Sequence, residues 1–131
     1  MEEVARRLQV DLFIIQHIDS VPHLEALLLL FNSRPQRWST DEMAKSLYVR
    51  NEAALKILEN LQQRNLIAAR PEGLDVFFYC PDVPSGNVLL EAVDAIYRKE
   101  VVRISSLIHS KGSASVRDFA RAFRFKRDGK E

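Results

Sequence analysis

The chain has one cysteine, four glycines and five prolines in 131 residues, and a net charge of only +1. Each shortage excludes something. A lone Cys80 cannot close an internal disulfide, and such thiol usage fits a reducing cytoplasm. So few glycines leave no Gly-rich phosphate loop and no nucleophile elbow, which removes the usual backbone of nucleotide and hydrolase chemistry. No pair of carboxylates is clustered for acid–base work. Among the histidines, His17, Asp19 and His23 straddle a helix break, without metal-ligand spacing, and His109 stands apart. No enzyme activity, catalytic residue, metal ligand or cofactor is therefore expected. The longest apolar run, Leu27 to Phe31, is far too short to cross a bilayer, and Met1 to Val10 carries four charges and lacks the shape of a signal peptide, so no membrane partner is expected.

The near-zero charge hides an uneven distribution. Residues 1–33 carry −3, residues 34–75 carry +1, residues 76–110 carry −1, and residues 111–131 carry +4. The basic surplus thus sits at the C-terminus, where phosphate or an acidic partner would meet it most strongly. What the chain has in abundance is apolar periodicity. Hydrophobic residues make up 47% and charged residues 28%, which predicts a packed core within one domain plus helical extensions.

Val4, Leu8, Leu12 and Ile15 recur at helical spacing and predict a helix over Glu3 to Ile18, its apolar face widened by Phe13, Ile14 and Ile18. Ser20 caps a second helix with Pro22 in its first turn, lined by Leu24, Leu27, Leu28 and Phe31 and ending near Asn32. Ser39 to Glu42 fits a capping box and opens a short helix with Met43, Ala44 and Leu47 inward. Tyr48-Val49-Arg50 forms a turn, Asn51 is the expected cap of the next helix, and Ala54, Ile57, Leu58 and Leu61 make one apolar stripe along it. Asn65 ends that helix in the left-handed region, which Asn tolerates. Leu66–Arg70 and Leu74–Tyr79 read as a hairpin around Pro71-Glu72-Gly73, with Leu74, Val76 and Phe78 on the buried face. Trp38 reads as a core or strand residue. A long helix over Asn87 to Ser110 follows, then a basic amphipathic helix after Ser115 with Phe119 and Phe123 opposite Arg117, Arg121 and Arg124.

Ser39, Met43-Ala44, Leu47, Val49, Ala54, Leu58, Leu61 and Leu66-Ile67, followed by a hairpin, resemble the winged helix-turn-helix of bacterial transcriptional regulators. The helix order on either side is similar to the MarR-type arrangement. Where that family usually has Gly before the Leu-Ile pair this chain has Asn65, and its wing is short. The resemblance implies a mainly α fold with a small β-hairpin, divided into an N-terminal dimerisation helix (1–19), a winged helix (20–85) and C-terminal helices (86–131). It also implies a homodimer built by the terminal helices and double-stranded DNA as partner.

The second helix of the motif then presents Arg50, Asn51, Glu52, Ala53, Lys56 and Asn60 outward. Arg and Asn are the side chains that pair with guanine and adenine in the major groove. Arg37, Ser39, Lys45 and Arg70 are placed to hold phosphates. Residues 51–65 balance Lys56 and Arg64 against Glu52 and Glu59. A neutral helix of this kind also suits a winged helix that binds protein, the second reading. The dimer interface is expected from Leu8, Leu12, Ile15, Val93, Tyr97, Val101, Ile104 and Ile108, the stripes of two helices with more apolar surface than a small domain needs. An apolar crevice between the long helix and the winged helix is the expected place for any ligand.

Overall fold

The structure, a computed structural model, describes residues 2–69, 76–79 and 86–110. Helix α1 (Glu2–His17) leads to α2 (Val21–Asn32), and a two-residue strand β1 (Trp38–Ser39) enters α3 (Thr40–Leu47). The chain then forms α4 (Asn51–Gln63), the strands β2 (Ile67–Ala69) and β3 (Val76–Tyr79), and the helices α5 (Gly86–Lys99) and α6 (Val101–Ser110). The three strands form an antiparallel sheet in the order β1-β3-β2, with Trp38 opposite Phe77 on one side and Ala69 opposite Phe77 on the other. The hairpin is thus widened by a strand that precedes the helix-turn-helix.

Local chemistry accounts for the helix boundaries. The Ser20 hydroxyl accepts the His23 N–H at 3.4 Å at the start of α2, with Pro22 in the first turn. At α3 both halves of a capping box are present: Glu42 donates its N–H to the Ser39 hydroxyl at 3.1 Å, and the Ser39 N–H reaches the Glu42 carboxylate at 2.9 Å. Asn65 adopts φ 62°, as expected of a helix stop. Asn51 does not cap α4. The cap is Arg50, which has no side-chain cap bond, and Asn51 is the first helical residue.

The core centres on α2, whose Leu24, Ala26, Leu27, Leu28, Leu30 and Phe31 are all buried. A helix covered on so many sides must be enclosed by others. α3, α4 and β3 pack on it from the winged-helix side, and α5 from the other. α1 lies against both α5 and α6, and one apolar cluster runs from Val10 and Ile14 through Leu27, Met43 and Leu58 to Ile104 and Ile108. No single helix among the described residues is long and apolar enough to cross a membrane.

Two further expectations change. The helix expected over Asn87 to Ser110 is two helices, interrupted at Glu100. No proline or glycine marks the spot. The β-branched pair Val101-Val102 weakens helix preference, and the Glu100 carboxylate is held by Arg7 of α1 and by Arg103 of α6. The buried face of β3 is also the opposite of the one expected. Phe77 is buried while Val76 and Phe78 are half-covered, because Phe77 points to the core between Trp38 and Ala69. A shift of one residue exchanges the two faces of a strand. The expected basic helix after Ser115, Cys80 and the Pro71-Glu72-Gly73 turn lie outside the described residues.

Candidate nucleic-acid interface

α3, the turn through Tyr48 and α4 make a helix-turn-helix whose inner surface is apolar. Ala54, Ile57, Leu58 and Leu61 turn inward from α4 to meet Met43 and Ala44 of α3, as their spacing predicts. The opposite face of α4 is left to solvent: Asn51, Glu52, Ala53, Lys56 and Glu59 are exposed. Arg50 stands at its N-terminus, where the helix dipole and free N–H groups favour anions.

Of the expected DNA contacts, Arg50 and Lys56 are exposed and form no ion pair with any described side chain. Lys45 is exposed but lies 3.3 Å from Asp41, one turn back on α3. The Asp41 carboxyl is held below its ordinary range, chiefly by the hydrogen bond from Lys45 and then by one from Asn51. Asn51 donates to Asp41 at 3.4 Å, so its amide is shared with the neighbouring helix. Below these groups lies a groove of about 470 Å³, lined by Thr40, Leu55 and Val76 beneath Asp41, Asn51 and Glu52. Ser39 is half-buried and its hydroxyl is occupied by the capping box. The Arg37 guanidinium sits 5.0 Å from the centre of the Phe78 ring, a cation–π contact at the edge of the sheet. Glu52 is exposed beside Asn51. Arg70 lies outside the described residues.

Asn60 is not on the open face. It is half-buried, donating to Asp19 at 3.2 Å and accepting from Arg64 at 3.1 Å. Arg64 also donates to the Gln16 carbonyl at 3.1 Å and to Asp19 at 3.0 Å, so the far end of α4 is fastened to the junction of α1 and α2. The spacing of Asn60 and Arg64 is a visible i,i+4 pair, but the reach to Asp19 spans 45 residues and leaves no sequence signal.

The eight residues expected at a dimer interface divide into two sets. Leu12, Val93, Ile104 and Ile108 are buried within the chain itself, because α1 and the two C-terminal helices cover one another. That is a correction: these four are core residues of the single chain. Leu8, Ile15 and Tyr97 are half-buried, and Val101 is 45% exposed. The expected crevice between α5 and the winged helix is present as a groove of about 350 Å³, floored by Leu28, Leu29 and Leu47 and rimmed by Glu25, Asp94 and Tyr97. Tyr97 donates to Glu25 at 3.0 Å, and burial, then that carboxylate, push its phenol up to about 12. Across the domain, Arg103 donates to Asp11 at 2.9 and 3.2 Å while Arg7 and Arg103 share Glu100. No group of three potential metal ligands occurs among the described residues.

No protein-family description and no curated protein matches the chain. Among solved structures it is similar to MepR, a transcription regulator of the Staphylococcus aureus multidrug efflux pump MepA. The TM-score is 0.53 at 18% identity, covering 97% of this chain and 90% of that one. The fold is a winged helix-turn-helix like that of MepR. In that fold the described α3 and α4 are the helix-turn-helix, β2 and β3 are the wing strands, and α1, α5 and α6 are the flanking helices.

Proposed function

We propose that this winged helix is a sequence-specific DNA-binding transcriptional regulator that acts as a homodimer in the cytoplasm. The observation that carries the reading is the state of α4. One face is packed and its far end is fastened to α1, while the other face offers Arg50, Asn51, Glu52 and Lys56 to solvent. A helix held in this way at one end and free along one face can enter a major groove without rearranging. Dimerisation through α1 and the half-buried edge of α5 and α6 would set two such helices one helical turn of DNA apart, roughly 34 Å. A signal that altered that spacing would alter affinity.

One observation favours a second reading, an adaptor that binds protein. The open face is close to neutral, with Glu52 and Glu59 beside Arg50 and Lys56 and Lys45 already paired with Asp41. DNA affinity rests largely on phosphate neutralisation. Selecting bound duplexes from a random pool at two salt concentrations decides between them. Enrichment of one site at both concentrations is the result expected of a regulator, and no binding even at low salt would leave the adaptor.

A further inference from the structure

α4 is bordered by two residues of left-handed backbone, Tyr48 at φ 59° before it and Asn65 at φ 62° after it. Asn is a residue that tolerates this region, whereas an aromatic side chain there crowds its own backbone. Tyr48 is the C-cap of α3, at ψ 44°, where its N–H and that of Val49 turn back to close the helix. Glycine would serve that turn better. Nor does the ring contribute to packing. It is 94% exposed and makes no hydrogen bond or ring contact with any described residue. A strained, solvated aromatic that the fold does not use sits two residues before the exposed Arg50, which pairs with no described side chain, on the corner that leads into the open face of α4.

Building on the DNA-binding reading, we propose that Tyr48 is a backbone contact of this helix-turn-helix, its hydroxyl donating to a phosphate oxygen and its ring lying on the adjoining deoxyribose. Tyrosine hydroxyls are regular phosphate donors, and such contacts set register and orientation without reading sequence. The placement explains why the corner keeps a side chain that disfavours its own backbone. The test measures duplex affinity and melting temperature for wild type, Tyr48→Gly, Tyr48→Phe and Asn65→Gly, using the best duplex from the random pool and an unrelated duplex. Tyr48→Gly is expected to melt about 3 °C higher as the strain is relieved, yet to bind both duplexes roughly tenfold more weakly. Because a neutral side chain displaces no counterion, the slope of affinity against salt stays unchanged. Tyr48→Phe loses part of the affinity at unchanged melting temperature, and Asn65→Gly binds like wild type. Wild-type binding with equal affinity in Tyr48→Gly would overturn this contact and leave the DNA reading standing. A wild type that binds no duplex would overturn both.

Discussion

Arg64 at the end of α4 grips Asp19 at the α1–α2 junction, one guanidinium nitrogen lying 3.0 Å from one carboxylate oxygen and 3.3 Å from the other. The pair is half-exposed, with side-chain accessibilities of 30% and 42%, so solvent weakens it. Arg64→Ala and Asp19→Asn should each lower stability by roughly 0.5–1 kcal/mol in urea titrations, with a coupling of similar size in the double-mutant cycle. If α4 reads DNA, loosening its anchor should also weaken binding a few-fold. Additive losses would show that the two side chains stabilise the fold separately.

The exposed cations of the open face, which pair with no described side chain, make a different prediction. Arg50→Ala and Lys56→Ala should leave the fold unchanged and each reduce the salt slope of DNA affinity by about one. Lys45→Ala should act more weakly, since Asp41 already holds that ammonium. Gel shifts at several salt concentrations measure all three. Unchanged slopes in both Arg50→Ala and Lys56→Ala would count against phosphate contact by this face.

The division of the expected interface residues allows dimerisation to be separated from folding. Ile104 is fully buried and Val101 is 45% exposed. Ile104→Asp should unfold the chain, as an unpaired charge in a core costs about 3 kcal/mol or more. Val101→Asp should keep a native circular dichroism spectrum and shift elution from dimer to monomer in size-exclusion chromatography. A Val101→Asp variant that still elutes as a dimer would move the proposed interface away from the start of α6.

Acid should loosen the contact between α1 and the α5–α6 break. Hydrogen bonds from Arg103 and then Arg7 hold the Glu100 carboxyl below its ordinary value of 4.5. A group with a depressed folded pKa stabilises the fold above its unfolded pKa, and that contribution is lost as pH falls through the folded value. The melting temperature should therefore decline as pH drops from about 4.5 downward. Glu100→Gln should melt lower at neutral pH and show a shallower acid decline.

The strand face can be tested directly. Phe77→Ala should cost about 3–5 kcal/mol, as expected for a buried aromatic. Phe78→Ala should cost less, about 1–2 kcal/mol, since that ring is half-exposed and carries mainly the Arg37 contact.

The order of elements and most of their ends were legible in the sequence. Caps at Ser20 and Ser39, the Ala54–Ile57–Leu58–Leu61 stripe and the stop at Asn65 are written within a few residues of where they act. The reading failed where the local signal is silent. Val76-Phe77-Phe78-Tyr79 contains no polar residue to mark which phase of the strand faces water, so only packing could orient it. The break at Glu100 lacks proline or glycine, and its carboxylate partner Arg7 lies 93 residues away.

The candidate site divides in the same way. The sequence alone determined the helix-turn-helix and the residues its second helix turns outward, because helical periodicity and capping are short-range properties of the chain. The tertiary structure decided which of those residues are free to act. It tied Asn60 and Arg64 to Asp19, drew Asn51 toward the Asp41 that Lys45 already meets one turn along α3, and left Arg50, Lys56 and the strained Tyr48 open. It also enclosed Leu12, Val93, Ile104 and Ile108 in the chain's own core. An apolar stripe says only that a face must be covered; whether the chain's own helices or a second copy covers it depends on how distant segments pack.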